Sequence, residues 1–600
     1  MSRPSDAPPD APPATLVPPR ATASPRGALL VALLTALPLL PTLRAAFVYD
    51  DTTIIRDNGW LRGWPALAHV WAQPYWPTTG PDALGLYRPL HVALLATIWN
   101  ATHGTALAFH LYALALAIVA SLAVWWLLRG ATSAVAALAG AAWFATHPLH
   151  VEAVASVANS SEMLVVLATI GLVRLLATGA GGPASWRRSA GVALLGAAAL
   201  LAKESGLFAL PLALLTVWGW HRPSPTGEAG AGPRPGWRGL LRANGCALAL
   251  GAAALGASLV ARHAVLGAAI ARTSIAAQGL DGAPPARVGM MLSLWPRIAA
   301  MLAWPSSLAP YYGPTLVPTH AAMWAAASAG VALLVLALAV HAARRGDRRP
   351  AVAVGWIVLT YLPAANLLVA TGQILSDRTL FGATVGVALA VAWALDPLAA
   401  HSPRTRRLAL LVLGLVIAHG AFVTVRYAMV WTTHRSLWTD LVRVEPREHL
   451  GYKLLGMDAR ARGERARAVA LLGRAHAMAP TDRQIRFEYG QALYEAARFG
   501  EAAAVLGALL DDDDVQREPA AVGLYLDAVG RARGAAAVVD AAAPLVRTPA
   551  AATAALYIGL AYQRLGRPAN ADSAWRAGLA ATPGDSALAA QLAPARRRRP

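Results

Sequence analysis

The sequence predicts an all-α integral membrane protein whose last quarter is an α-solenoid of helical repeats outside the membrane. Of its 600 residues, 56% are hydrophobic and only 14% are charged, which is more apolar surface than soluble cores of this length need. The apolar residues form runs of roughly 16 to 22, the length that crosses hydrocarbon as a helix. Near residue 447 this pattern ends, and small residues begin to recur roughly every 34 positions.

About eleven transmembrane helices are expected. The first, Ala28 to Val48, lacks a small-residue cleavage pattern before Tyr49-Asp50-Asp51, which favours a retained span over a signal peptide. The other expected spans are 108–128, 133–146, 160–178, 189–202, 205–220, 243–261, 321–342, 351–370, 380–396 and 408–425. Tyr87–Asn100 is too short to span and is expected to lie in the membrane interface, with a short tilted span as the alternative.

Arginine placement predicts the topology. With a cytoplasmic N-terminus, the Arg-rich loops all lie inside; they contain Arg129, Arg187, Arg188, Arg222, Arg234, Arg238, Arg344, Arg345, Arg348, Arg349, Arg404, Arg406 and Arg407. The net charge of +20 therefore reflects arginines that set the membrane topology. It does not indicate nucleic-acid binding, because the arginines form no single basic face. An odd number of spans sends the repeats to the outer face, which is the periplasm or exterior in a bacterium and the ER lumen in a eukaryote; a bacterial inner membrane is the favoured location.

The domain organisation follows from these patterns. The expected parts are a disordered cytoplasmic tail (1–26), a transmembrane domain (27–430), a connector (431–446), helical repeats (447–592) and a basic tail (593–600). The repeat markers are Gly456, Gly490, Gly523 and Gly559, then Ala468, Ala502 and Ala571, then Pro480 and Pro583. Their phase is that of about four tetratricopeptide repeats, of which the one around Gly523 is degenerate. The single cysteine, Cys246, allows no intrachain disulfide and no cysteine-based zinc site.

Adjacent carboxylates follow the first span. Asp50 and Asp51 lie close to lipid, where an acid is costly unless it is paired or functional. Neighbouring side chains on an extended backbone diverge, so one acid is expected to face a cavity while the other orients the structure. A solvated acidic flank is the alternative.

A second polar cluster ends the third span. His147, His150 and Glu152 are spaced wrongly for a metalloprotease-type zinc site, but Glu152 and His147 can approach a phosphate or an acceptor hydroxyl. A His-Pro turn that only ends a helix is the alternative. Other polar residues expected on the outer side are Arg88, Lys203, Glu204, Asp377 and Arg378; together they suggest an anionic substrate, whereas singly each is typical of a salt bridge or a snorkelling side chain.

In order along the chain, these residues resemble a known series. The stretches are Phe47-Val48-Tyr49-Asp50-Asp51, Tyr87-Arg88-Pro89-Leu90, His147-Pro148-Leu149-His150-Val151-Glu152, Leu201-Ala202-Lys203-Glu204-Ser205-Gly206, Trp304-Pro305, Tyr311-Tyr312, Pro363-Ala364-Ala365-Asn366-Leu367 and Asp377-Arg378-Thr379-Leu380-Phe381. Together with the repeats they resemble the transmembrane and tetratricopeptide-repeat O-mannosyltransferases, members of the C-type glycosyltransferases, in a bacterial-type form. The resemblance covers residues from about Leu29 to Asp585. The sequence departs from the common wording at Asp377-Arg378, where Glu-Arg is usual, at Tyr49, and in its short repeat array.

The resemblance implies a chemistry. Such enzymes take a sugar from a polyprenyl-phosphate carrier on the outer face of the membrane. Asp50 or Asp51 would be the general base, with Glu152 as a further catalytic candidate. Arg88, Lys203 and Arg378 would hold the carrier phosphate, with His147, His150, Glu204 and Asp377 also expected in the substrate site.

The favoured function is therefore a membrane glycosyltransferase that moves mannose or a similar hexose to hydroxyl groups of a protein acceptor. The repeats would bind that acceptor or a partner protein. A non-catalytic envelope scaffold and a lipid-linked sugar transporter are the alternatives. No cofactor is expected with certainty beyond the polyprenyl-phosphate sugar as donor substrate, no metal-ligand cluster stands out, and the need for a divalent metal stays open, as do the sugar, the acceptor and the carrier length.

Overall fold

The computed structural model describes residues 24–77, 85–178, 185–219, 236–268, 280, 283–397 and 402–596. Regular structure in these residues is helical, and one isolated antiparallel bridge joins Tyr312 to Leu375. The chain divides into two compact units, Met1–Leu437 and Trp438–Pro600. Nearly all of the expected tail 1–26, half of the basic tail 593–600, and two arginines of the expected inner loops, Arg222 and Arg234, lie outside the described residues.

The first unit contains sixteen α-helices and the start of a seventeenth. They are α1 (Pro25–Leu39), α2 (Ala66–His69), α3 (Pro89–Thr102), α4 (Ala106–Ala131), α5 (Ala134–Ala145), α6 (His150–Ala155), α7 (Ser161–Ala177), α8 (Trp186–Ala202), α9 (Ala209–Gly219), α10 (Trp237–Leu266), α11 (Pro284–Ser293), α12 (Trp295–Ala303), α13 (Ala321–Arg344), α14 (Arg349–Tyr361), α15 (Phe381–Leu395), α16 (Pro403–Val430) and α17 (His434–Val444). The count refers to the described ranges. A helix stands at each of the eleven expected spans, and α3 stands where the interfacial helix was expected.

Seven helical segments of the described chain are long and apolar enough to cross a membrane: Pro25–Arg44, Ala106–Ala131, Val157–Ala177, Trp237–Leu266, Ala321–Arg344, Asp377–Leu395 and Pro403–Val430. Their burial within the protein differs widely. In the most apolar window of Val157–Ala177, 67% of the residues are buried, but in Pro403–Val430 only 6% are. Exposing so many Leu and Val side chains to water is unfavourable, so the helix Pro403–Val430 must face lipid. The protein is thus a multi-pass membrane protein.

One expected span is too long. The prediction was 351–370, whereas α14 ends at Tyr361 and a single 3-10 turn, Leu362–Ala364, follows. Pro363 explains the stop, because proline lacks the N–H that a continuing helix needs. Beyond it Asn366 takes a left-handed conformation (φ 54°), and its amide donates to the Gln373 carbonyl while its oxygen accepts from the Thr371 amide. This loop leads the chain back to the start of α15.

The second unit is a series of antiparallel helix pairs: α18 (His449–Ala461), α19 (Arg465–Met478), α20 (Arg483–Glu495), α21 (Phe499–Gly507), α22 (Asp513–Gln516), α23 (Pro519–Arg533), α24 (Ala535–Ala542), α25 (Ala551–Arg564), α26 (Pro568–Ala581) and α27 (Ser586–Arg596). In three pairs the marker glycine lets a large side chain sixteen positions later pack closely, as Gly559 does for Trp575 and Gly490 for Leu506. Gly523 instead faces the ring of Tyr557, two helices away. This different contact is the physical form of the degenerate repeat.

Candidate functional site

Arg378 is the centre of a polar cluster in the first unit. It lies in the 3-10 turn Asp377–Leu380 that leads into α15. Its backbone N–H donates to Glu152 Oε2 at 2.8 Å, and its guanidinium Nη1 donates to Glu152 Oε1. Nη2 of the same side chain lies 3.7 Å from Asp50 Oδ2. The structure therefore brings together Asp50, Glu152 and Arg378, which come from three distant parts of the sequence.

Asp51 is fully buried and bonded to the connection between α6 and α7. Its carboxylate accepts from Ser156 Oγ at 3.2 Å, from the Val157 amide at 3.0 Å and from the Ala158 amide at 2.8 Å. Burial nevertheless raises the pKa of Asp51 to about 7, because loss of water outweighs the hydrogen bonds from Ala158 and Val157. Asp51 thus bonds the backbone between α6 and α7.

Asp50 points elsewhere and keeps some access to solvent. Its side chain is 14% exposed, and its Oδ2 accepts from Asn159 Nδ2 at 3.3 Å. The reasoning from an extended backbone was wrong here, because both acids lie in a helical turn that starts directly after Tyr49. Tyr49 has φ 55°, and this left-handed residue turns the chain before the two acids diverge.

Asp377 is closed in by two tyrosines. Its oxygens accept from Tyr312 Oη at 2.7 Å and from Tyr427 Oη at 3.0 Å, and the side chain is fully buried. Tyr427 belongs to α16 and Tyr312 to the loop after α12. Asp377 therefore has no access to solvent. Its bonds to the two tyrosines anchor the turn that carries Arg378.

Asn159 and Gln373 belong to the cluster but were missed by sequence reasoning. Gln373 Oε1 accepts from Arg378 Nη2 at 2.8 Å, and Asn159 Nδ2 also donates to Ser156 Oγ at 2.8 Å. The available signal was their position, since both lie in segments that the arginine pattern assigns to the outer face. Neutral amides carry no charge signal, which is why they did not stand out.

A second group surrounds Glu204. Arg88 donates to Glu204 Oε2 from Nε at 3.0 Å and from Nη2 at 2.8 Å, and Arg262 Nη1 donates to Glu204 Oε1 at 3.1 Å. Arg262 Nη2 also donates to the Gly85 carbonyl at 2.8 Å. Arg262 was not predicted as a site residue. The sequence does carry a signal for Arg262, because it directly follows the expected span 243–261 at the end that the arginine pattern assigns to the outer side. Arginine is usually found at the inner ends of spans.

Lys203 forms a buried ion pair with Glu162, at 2.6 Å between Nζ and Oε1. Burial lowers the pKa of Lys203, an effect that Glu162 partly offsets.

Tyr75 connects the group around Glu204 to the group around Arg378. The Arg88 guanidinium lies 4.7 Å from the centre of the Tyr75 ring, and the Tyr75 hydroxyl donates to the Ala158 carbonyl at 2.5 Å. Because Ala158 also bonds to Asp51, both groups are parts of one polar network.

The two histidines are engaged elsewhere. His147 Nε2 lies 3.2 Å from the Leu302 carbonyl oxygen, and His150 Nε2 lies 3.0 Å from Thr384 Oγ1. Burial lowers the pKa of His147 to about 4, so that this ring is neutral. Neither ring is brought to Arg378 or Glu204, and the predicted substrate contacts of His147 and His150 gain no support from their positions.

The charges of the two groups differ in sign. Arg378 with Glu152 and Asp50 carries a formal charge of −1, whereas Arg88 and Arg262 with Glu204 carry +1. Each of the three cations expected to bind phosphate, namely Arg88, Lys203 and Arg378, already has a carboxylate partner. Among the described residues no group of three or more His, Cys, Asp or Glu side chains is arranged to hold a metal ion.

Comparisons with known proteins agree with the repeat domain and with the predicted resemblance. A tetratricopeptide repeat family model matches residues 459–524. Protein O-mannosyl-transferase Tmtc1 of Drosophila melanogaster is 33% identical over 180 residues, which are 29% of this chain and 20% of the relative. Protein O-mannosyl-transferase Tmtc2 of the same organism is 30% identical over 114 residues, 19% of this chain and 12% of the relative.

The aligned parts span a fifth or less of these relatives' length. They establish similarity of sequence, while the activity of the whole relatives does not transfer by alignment alone. The predicted resemblance is confirmed: this multi-pass membrane protein with a tetratricopeptide repeat domain is similar in sequence to the Tmtc protein O-mannosyl-transferases.

Proposed function

We propose that the protein transfers a hexose from a polyprenyl-phosphate carrier to hydroxyl groups of a protein acceptor on the outer face of the membrane. One observation carries this proposal: within the described cluster, Asp50 is the acid that retains access, at 14% side-chain exposure against 1% for Glu152. A general base must reach the proton that it removes. The similarity to proteins named O-mannosyl-transferases supports mannose, or a similar hexose, as the sugar.

In the proposed reaction Asp50 accepts the proton of the acceptor hydroxyl, and the hydroxyl oxygen attacks the anomeric carbon. The bond from that carbon to the carrier phosphate oxygen breaks, and its electron pair leaves with the phosphate. Asn159 Nδ2 and Arg378 Nη2 both face Asp50 Oδ2, so they orient the carboxylate. Glu152 holds Arg378 in place, because its carboxylate accepts hydrogen bonds from both the backbone N–H and the guanidinium of Arg378.

The repeats supply the second part of the proposal. Stacked helix pairs form extended surfaces that bind proteins, so the second unit would dock the acceptor or a partner. The ion pairs that occupy Arg88, Lys203 and Arg378 also suit a scaffold without catalysis, which is the competing function.

The deciding experiment is transfer itself. Purified protein in lipid nanodiscs is incubated with radiolabelled polyprenyl-phosphate mannose, or another carrier-linked hexose, and an envelope protein extract. Label in alkali-releasable form on protein supports the proposal, and the Asp50→Asn variant serves as the negative control. Absence of transfer from every carrier by well-folded protein would favour the scaffold.

The proposed location is a bacterial inner membrane with the N-terminus in the cytoplasm. Single cysteines in a Cys246→Ala background test it. Gly59→Cys and Ser573→Cys lie at exposed positions of the expected outer side and should react with a membrane-impermeant maleimide in intact cells. Arg344→Cys, exposed at the end of α13, should react only after lysis. The opposite labelling pattern would contradict both the orientation and the placement of the site.

A further inference from the structure

Arg88 and Arg262 together hold a single carboxylate, that of Glu204. Three hydrogen bonds of 2.8 to 3.1 Å fix it, two from Arg88 and one from Arg262. We propose that this is the binding site for the carrier phosphate, that Glu204 occupies the anion position in the free protein, and that the phosphate displaces it. This inference rests on the proposed function and names the residues that bind its donor substrate.

The geometry favours exchange of one anion for another. Carboxylates and phosphates both accept paired hydrogen bonds from the planar guanidinium group. The arginines are the fixed part of the site: their side chains are 9% and 7% exposed, Arg88 lies over the Tyr75 ring, and Arg262 is bonded to the Gly85 carbonyl. The Glu204 side chain is 27% exposed. The anion is therefore the member of the group that can move.

The charge balance separates this site from Arg378. Once Glu204 moves away, a phosphate meets the two arginine side chains that held this carboxylate. At Arg378 the phosphate would also meet the carboxylates of Glu152 and Asp50. Their two negative charges exceed the single positive charge of the arginine. In this proposal Arg378 orients the acids, and Arg262 takes the phosphate-binding role that the sequence resemblance implies for Arg378.

This division suits an inverting displacement. The base and the leaving phosphate must stand on opposite sides of the reacting carbon, so two separate groups are needed. The groups are distinct but linked, because the Tyr75 ring lies against Arg88 while its hydroxyl bonds to the Ala158 carbonyl, and the Ala158 amide bonds to Asp51. The base and the phosphate site are thus held by one network.

Equilibrium binding of a short-chain polyprenyl phosphate to the full protein in nanodiscs tests the proposal. Glu204→Gln keeps the shape but removes the competing charge, so affinity should increase by about 3- to 10-fold. Arg262→Gln should weaken binding by at least about tenfold, the usual loss for one charged hydrogen bond. Arg88→Lys keeps the positive charge but loses the paired N–H donors of the guanidinium group. It should weaken binding by a smaller factor than Arg262→Gln does. Arg56→Gln, an exposed arginine paired with Asp57, is the matched control and should change nothing.

The sign of the Glu204 effect decides the outcome, because a merely structural glutamate would give weaker or unchanged binding on substitution. Unchanged or weaker binding by Glu204→Gln, or an Arg262→Gln affinity equal to that of Arg56→Gln, would overturn the proposal. Polyprenol and inorganic phosphate are measured in parallel; both should bind much more weakly, and equal binding of inorganic phosphate would overturn assignment to the lipid carrier. Sugar transfer is scored separately, so that correct binding without transfer would count against the proposed function alone.

Discussion

Asp50 and Asp51 are neighbours in the sequence, yet they belong to regions of different character. Asp51, like Asp377, lies in a closed region where hydroxyl or backbone donors of the protein bond the buried carboxylate. Asp50 lies in an open region, with one amide donor at 3.3 Å, an arginine at 3.7 Å and some solvent access. A carboxylate whose acceptor sites are filled by the fold stabilises structure, and one with access can accept a proton from a substrate.

The largest effect should follow from changing the open acid. Asp50→Asn should lower the initial rate of sugar transfer by about 100- to 10,000-fold, because an amide cannot take the proton of the acceptor hydroxyl. Its unfolding temperature and polyprenyl-phosphate affinity should stay near those of the unchanged protein. Asp57→Asn, an exposed acid paired with Arg56, is the control and should keep full activity. Full activity of Asp50→Asn would remove this acid from catalysis.

The closed acid should act on stability instead. In Asp51→Asn one side-chain oxygen is replaced by an N–H₂ group, which then faces the backbone amide of either Val157 or Ala158. An unpaired buried N–H costs about 1–3 kcal/mol, so the free energy of unfolding should fall by that amount. Thermal unfolding in detergent measures it. A stable Asp51→Asn protein with activity as low as that of Asp50→Asn would reverse the assignment of the two acids.

A smaller loss is expected at the tyrosines around Asp377. Tyr427→Phe removes one of the two hydroxyl donors to this buried carboxylate, which should lower the free energy of unfolding by about 1.5–3 kcal/mol at most. Tyr361→Phe is the matched control, because the buried Tyr361 hydroxyl has no hydrogen-bond partner in the described structure. That control should be neutral or slightly stabilising. Equal losses in the two variants would mean that packing, and not the Asp377 contact, matters.

The last effect concerns pH. Since burial raises the pKa of Asp51 from 3.8 to about 7, the folded state binds the proton more tightly than the unfolded state. This contribution to stability is complete below the unfolded pKa and is lost as pH rises through about 7. The stability advantage of the unchanged protein over Asp51→Asn should therefore shrink between pH 5 and pH 8, followed by thermal unfolding at each pH. An advantage that grows with pH would show that the hydrogen bonds from Val157 and Ala158 outweigh burial.

Much of the fold was accessible from the sequence. Apolar runs placed helices at all eleven expected spans, since the thickness of hydrocarbon sets a required length whatever the neighbours are. The error at 351–370 arose because hydrophobicity was followed past Pro363, where backbone chemistry stops the helix. The phased Gly and Ala residues indicated the repeats, because close helix contact admits only small side chains at those positions.

The sequence by itself determined which residue types stand at the helix ends, and the motif resemblance singled out Asp50, Asp51, Glu152, Arg88 and Arg378. Tertiary structure alone decided their partners. Asp51 accepts hydrogen bonds from Val157 and Ala158, more than a hundred residues away, and the fold brings Arg262 to Glu204. The physical reason is that local sequence fixes helix periodicity and span length, whereas the charge, burial and donors around a carboxylate come from segments that only packing brings together.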